Sequence, residues 1–500
     1  MWKIRGIAGR DASLGGRVAS VAVLLIVTTS CGGRVAKTAT AELTTLTIGF
    51  GLVAGTTPEI GIQQVARSLA LEDLTSVSVD GTALAKLAES WSASADGLRL
   101  VVHLRPAATF HSGKPADAEA VRRVLQRQLP SRLGAAFEDV ADIRATSDRE
   151  IEITLRRRSS FVLDAFGDTA IREAQGDLSG TGPFYVTNNT GTEIEMRANE
   201  RYYAGKPAID RIVIKPFTSL RAAWAEMLRG RVDMLYDVGV DALDSLASSS
   251  EVNVFTFQRG GFAYLVLLNV RKPPLNDAGF RRELNAAIDR RALLDEVWAG
   301  HGASADGPVP PRHWAYRPDL PRFAYKPVPP GPAARLRRFT CLLLDPSHER
   351  LALLVQRQLQ GIGVDVDFKF VSAEQGVAQI RSGDFDAVLL DYAQGPGLVR
   401  QYLNWYSGAP NNLGGYSSKA VDAALDNMRF AADDQAYKTA VAAFQTAIVG
   451  DPPAIFLTWR ERARAVSRRF HVPAVPPGTD VFTTVRSWTP VARVGAVSTN

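Results

Sequence analysis

The chain has 500 residues and a mass of 54.1 kDa, more than one hydrophobic core serves, so two or three compact units are expected. Apolar residues at 46 %, with mean hydropathy −0.05 and no 18-residue apolar run, exclude a mainly disordered chain and a polytopic membrane protein. The formal charge is +6, but 11 of the 58 cations are Lys and the Arg are scattered, so nucleic acid is not an expected partner.

The first element is an address. Lys3, Arg5, Arg10 and Arg17 precede Val18 to Val27, a ten-residue run that is apolar apart from Ser20. That length cannot span a bilayer but suits an export signal, so residues 1–30 are expected to be a signal peptide. They carry four cations and Asp11, so half of the net charge belongs to the leader. The run Val27-Thr28-Thr29-Ser30-Cys31-Gly32-Gly33 resembles the lipobox of bacterial lipoproteins, with Thr28 where a large aliphatic is usual. The resemblance implies lipidation of Cys31, with residues 31–44 as a flexible tether. A thioether-linked Cys31 cannot pair with Cys341, the second of the two Cys. Cys341 therefore reads as a lone buried thiol.

A strand is expected over 46–50, entering a glycine-bearing loop at 51–58. Gly49, Gly51 and Gly55 are spaced GxGxxxG with Pro58 behind, which is not a dinucleotide fingerprint. Further strands are expected over 98–104, 148–155, 339–344, 364–370 and 387–390. Apolar spacing predicts helices over 116–129, 220–228, 280–297, 351–359, 420–430 and 437–449. Residues 306–333 are Pro-rich and read as irregular. Helices and strands alternate without a repeat, which fits an α/β or α+β body.

Catalytic motifs are missing: there is no GxxxxGK[ST], HExxH or GxSxG. No two of the six His stand at i, i+4 and none adjoins a Cys, so neither a metal site nor a cofactor is expected. His103 and His111 read as hydrogen-bonded structural residues. The acid pairs Asp384 and Asp386, and Asp433 and Asp434, read as caps and surface. Seven Trp fall beyond the leader, and spacing alone does not say whether they line a pocket or pack.

Several stretches, in order, resemble the peptide/nickel class (family 5) of extracellular solute-binding proteins of ABC importers. They include Leu87 to Trp91, Asp96-Gly97-Leu98, His103-Leu104-Arg105, and Phe110 to Pro115 with Ser112 where Asp is usual. Gly180 to Phe184 is similar to the family's GTGPF turn, and Asn199 with Tyr202-Tyr203, Gly205-Lys206-Pro207 and Asp210 to its next run. Gly230 to Met234, Asn269, Pro273 to Asp277, Arg281, Ala286 to Arg290, Gln356 to Val364, Gly383 to Asp386 and Asp451-Pro452-Pro453 extend the likeness across about 45–465.

The resemblance implies a fold: an α/β, type II-like periplasmic-binding-protein clamshell of two lobes. Residues 45–80, 176–264 and 463–500 would form lobe one, 81–175 its extra subdomain, and 265–462 lobe two. It also implies a non-enzymatic monomer held at the extracytoplasmic face of the cell membrane through its lipid. Its partners would be a small peptide-like solute and the membrane subunits of an ABC permease. Peptide binders of the family place an Asp after the "GDFD" strand to pair with the peptide ammonium; here that position falls at Gly395. A buried ammonium without a partner costs several kcal/mol, on the order of 3–5. An uncharged or capped ligand is therefore expected, against Tyr392, Gln394, Gly395, Asn404, Trp405 and Tyr406. Two alternatives stay open: an envelope lipoprotein of this fold acting through protein contacts, and a binder of metal complexes or glycans.

Overall fold

The computed structural model describes residues 43–51, 58–174, 176–331, 336–395 and 397–491. The expected leader, Cys31 and the tether up to residue 42 lie outside the described residues, as does Pro396. No helix among the described residues is long and apolar enough to cross a membrane.

Two long antiparallel strands, Val252–Leu268 and Ala454–Ser467, run down the middle of an eleven-stranded mixed sheet. The first is rich in β-branched and aromatic residues, and its second half, Ala263 to Leu268, is buried throughout, as a central strand covered on both faces requires. On one side the sheet continues through Met234–Leu235, Thr45–Gly51, Arg211–Phe217, Ile194–Ala198 and Phe184–Asn189. On the other it continues through Ala387–Ala393, Arg337–Leu343 and Val364–Phe370. The two long strands thus belong to both lobes of a clamshell.

A separate four-stranded antiparallel sheet, Ala88–Ala93, Arg99–Leu104, Glu150–Leu155 and Val140–Ser147, forms the extra subdomain. Leu100, Val102 and Leu104 alternate inward with Ile151, Ile153 and Leu155, and bury Val121, Val124, Leu125 and Leu129 of helix Ala118–Leu133. This helix runs past its expected end at 129 and through Pro130. Pro130 and Gln126 both face solvent, the side on which a missing helical N–H costs least.

The single helix expected over 280–297 is instead two, Ala278–Ala286 and Arg290–Trp298. Asp289 caps the second, accepting from Ala292 N at 3.0 Å. Buried Arg290 donates to the carbonyls of Asn285 and Ile288, both at 3.2 Å, and of Ala305, Phe323 and Phe456. Carbonyls freed where the first helix stops are therefore satisfied by a guanidinium, which burial pushes down to about 10. As expected, 306–331 hold no helix or strand, and Cys341 is fully buried.

The motif residues do structural work. Buried Glu72 accepts from Tyr202 and Tyr203 hydroxyls at 2.8 and 2.9 Å and from Thr181 at 2.9 Å. Gly180 and Gly182 press on the carbonyls of Ala70 and Leu69, where any Cβ would stand 2.4 Å away. His111 accepts from Gly180 N through Nδ1 (3.2 Å) and donates through Nε2 to Gly182 O (3.0 Å), so it is a neutral structural imidazole. Burial holds its pKa below the usual value. Arg281 binds the carbonyls of Pro452 and Leu275, both at 2.7 Å, and pairs with Asp451.

The subdomain is docked on the second lobe. Arg429 reaches Asp139 at 2.5 Å, Glu138 at 3.0 Å and the Tyr402 hydroxyl at 3.1 Å. Both Arg429 and Asp139 are buried, 3 % and 0 % exposed at the side chain. Asp164 accepts from Val399 N at 3.4 Å, and burial pushes its carboxyl up to about 7. Asp139→Ala strands a buried guanidinium, so it should destabilise the protein by about 3 kcal/mol in urea unfolding. Adding Arg429→Met should recover part of that loss.

Candidate functional site

The two central strands come out of register at one point. Gln258 pairs with Glu461 and Ala263 with Trp459, so residues 259–262 stand opposite Arg460 alone. Such a bulge bends strands apart and re-aims side chains. A cavity of about 20 Å3 lies there, lined by Gln258, Gly261, Phe262, Trp459 and Arg460 of these strands. Val79 of the first lobe and Pro310 and His313 of the proline-rich segment complete its wall. This is room for about one ordered water.

The cavity wall offers donors and no carboxylate. The Trp459 ring is 3 % exposed, and its Nε1–H is buried without an acceptor. Arg460 is tied from the second lobe by Asp391, whose Oδ1 is left without a hydrogen bond. His313 Nδ1 accepts from Ala315 N at 3.2 Å, and burial pushes the imidazole down to about 4, so it is neutral.

Arg460 begins a row. Arg462 and Arg464 follow at two-residue spacing on the same face of the strand Ala454–Ser467. Arg462 pairs with Asp237, with Nε 2.7 Å from Oδ1, and Arg464 grips Asp480 at 3.0 and 2.6 Å. The Arg464 guanidinium also lies 3.8 Å from the Tyr236 ring centroid.

The six residues expected to hold a ligand are brought together, and their polar tips are largely occupied by protein. Gln394 is fully buried; its N–H donates to Gly261 O at 2.7 Å and its Oε1 accepts from Trp405 Nε1 at 3.1 Å. Trp405 Nε1 is shared with Gln401 Oε1 at 2.9 Å, and the ring is 1 % exposed. Asn404 Nδ2 donates to Ala393 O at 2.7 Å, Tyr392 to Asn411 O at 2.7 Å, and Tyr406 to Asp426 at 3.2 Å. Gly395 meets protein backbone: a Cβ on Gly261, whose φ is +75°, would stand 2.7 Å from the Gly395 Cα. Among these groups Gln394 Nε2 is buried without a partner.

Sequence reasoning did not reach Trp459, Arg460, Gln258, Phe262 or His313. One available signal was Gly260-Gly261, a glycine pair inside an apolar strand run, which marks a bulge.

A family model described as "Bacterial extracellular solute-binding proteins, family 5 Middle" matches residues 84–414. The chain belongs to this family. It is a binding protein, not an enzyme. The glutathione-binding protein GsiB of Pectobacterium atrosepticum is 25 % identical over 459 residues, covering 83 % of this chain and 88 % of that one. Among solved structures, the oligopeptide-binding protein AppA of Bacillus subtilis in complex with a nonapeptide superposes with a TM-score of 0.73 at 20 % identity. That match covers 90 % of this chain and 99 % of AppA. NikZ of Campylobacter jejuni, in complex with Ni(L-His), gives 0.74 at 21 % identity, covering 89 % and 99 %. At these identities the structures establish the shared fold.

The neutral His313 makes a pH prediction. Between about pH 6.5 and 4 the unfolded chain binds a proton at this position and the folded chain does not. Its contribution is full above pH 6.5 and falls through that window by about 1.4 kcal/mol per pH unit. The stability lead of the wild type over His313→Gln should therefore shrink steadily from pH 6.5 to 4. A lead independent of pH in paired denaturation curves contradicts the assignment.

Proposed function

We propose that this protein is a solute-binding receptor that captures a peptide-like solute between its lobes and hands it to an ABC importer. The observation that carries the reading is the lining of the hinge cavity, which includes Arg460, Gln258 and the Trp459 side chain but no carboxylate. Such a wall suits carbonyl and carboxylate oxygens and disfavours a free ammonium. Asp391, the nearby acid, is already held by Arg460. On opening, Tyr392 and Gln394 form the second-lobe wall, with Gly395, Asn404, Trp405 and Tyr406 behind them. Relatives named for glutathione, a nonapeptide and a nickel–histidine complex support amino-acid-derived solutes.

A second reading, action through protein contacts without uptake, draws on the closed cavity of about 20 Å3, which is smaller than any peptide. Acetylated and free-amine tripeptide pools decide between them. A receptor of the proposed kind should melt higher with the acetylated pool, by about 2.7 kcal/mol at a hundredfold excess over Kd, and scatter as a more compact particle. Trp459→Phe deletes the donor and shrinks a core side chain, so it should weaken binding by about tenfold and lower the ligand-free melting point, with binding compared at a temperature where both proteins are folded. If neither pool nor native mass spectrometry of the gently isolated protein reveals a solute, the uptake reading fails.

The same proposal places the protein at the outer face of the cell membrane as a lipid-anchored monomer, on the resemblance of the run ending at Cys31 to a lipobox. Cys31→Ala should leave the precursor uncleaved or release the protein from membranes in fractionation. Normal cleavage with full membrane retention contradicts the anchor.

A further inference from the structure

A recess of about 380 Å3 lies on the extra subdomain and shares no residue with the hinge cavity. Three segments build it. Helix Ala118–Leu133 contributes Arg123 and Arg127, four residues apart and so on one face. The turn before it contributes buried Phe110 and exposed Lys114, and the segment after strand Ala170–Ile171 contributes Arg172.

Four cations thus meet two carboxylates, and both carboxylates are engaged. Asp117 caps the helix by accepting from Ala120 N at 2.8 Å. Glu173 accepts from Lys114 Nζ at 2.6 Å and from Ser179 Oγ at 3.3 Å. Arg123 reaches Glu119 at 3.6 Å on the exposed side of the helix, a weak pair in water. Arg127 has no carboxylate partner among the described residues.

Arg172 is the informative member. Its Nε–H is buried with no acceptor. Burial, and after it the like charges of Arg67 and Arg132, push this guanidinium below its ordinary range, while Asp73 and Asp177 pull more weakly the other way. A buried donor left unmade and a cation crowded by cations are each unfavourable. An anion seated in the recess offsets the crowding of like charges.

We infer that this recess binds a phosphate-type dianion, free or as a phosphomonoester on a small organic group. Arginine forks present paired N–H donors that match phosphate oxygens. The two guanidiniums without a carboxylate, Arg127 and Arg172, match a double negative charge. The recess is also larger than inorganic phosphate, leaving space over the apolar Phe110 for an organic substituent. The same chemistry is carried by soluble phosphomonoesters and by the head group of phosphatidic acid.

Calorimetric titration of the full chain with inorganic phosphate and with glycerol phosphate tests the site. One saturable event is expected, with Kd below about 1 mM. Arg127→Gln and Arg172→Gln should each weaken it by about tenfold. Arg172→Gln should not lower the ligand-free melting point, because it relieves crowding, so lost binding cannot be ascribed to unfolding. Flotation with phosphatidic acid vesicles, against phosphatidylcholine alone, separates the sources. Flotation that falls in both variants assigns the lipid head group, and flotation unchanged in variants that have lost soluble phosphate assigns the free ester. No saturable phosphate binding by the wild type, or equal affinity in both variants, overturns the inference.

Discussion

The architecture depends on one strand being held from three directions. Arg460, Arg462 and Arg464 project from a single face of Ala454–Ser467, and each is met by an aspartate from a different part of the chain. Asp391 belongs to the second lobe, Asp237 follows the first-lobe strand Met234–Leu235, and Asp480 lies in the returning C-terminal segment. Arg462 and Arg464 are too buried to be solvated by water, so these pairings fix the strand's position as well as its charge. The neighbouring strand Val252–Leu268 then takes its register from this one, and the bulge at 259–262 falls where the cavity is.

The sequence revealed regular elements wherever local pattern and tertiary burial agreed. Val364–Phe370 and Leu220–Leu228 form over the expected residues because their apolar spacing matches the faces they bury. The break at 287–289 was not legible, because apolar spacing persists across it and the reason for the break is Arg290, whose partners Phe323 and Phe456 are remote in sequence. The same separation hid the cavity. Trp459 and Phe262 meet only after two strands nearly two hundred residues apart have paired, and no local period encodes that.

The family motifs illustrate the difference between a residue that marks a fold and one that touches a ligand. Asn269 donates to the carbonyls of Gly383 and Phe385, and the motif residues Thr181, Tyr202 and Tyr203 converge on Glu72; none of these lines the cavity. Ordered matches of this kind place a chain in its family while leaving its solute open. The acid nearest the cavity wall, Asp391, is already paired with Arg460, and the wall residues themselves carry no carboxylate.

The contact between Gly261 and Gly395 is smooth. Side chains that interdigitate must change rotamer before two bodies can roll past each other, and that adds friction to a hinge. Here two bare backbones touch, joined by the bond from Gln394 N to Gly261 O, so no side chain has to change rotamer at this contact. The side-chain contacts between the subdomain and the second lobe lie elsewhere, in the Arg429 cluster and at Asp164, and there rotamers are locked by buried charge.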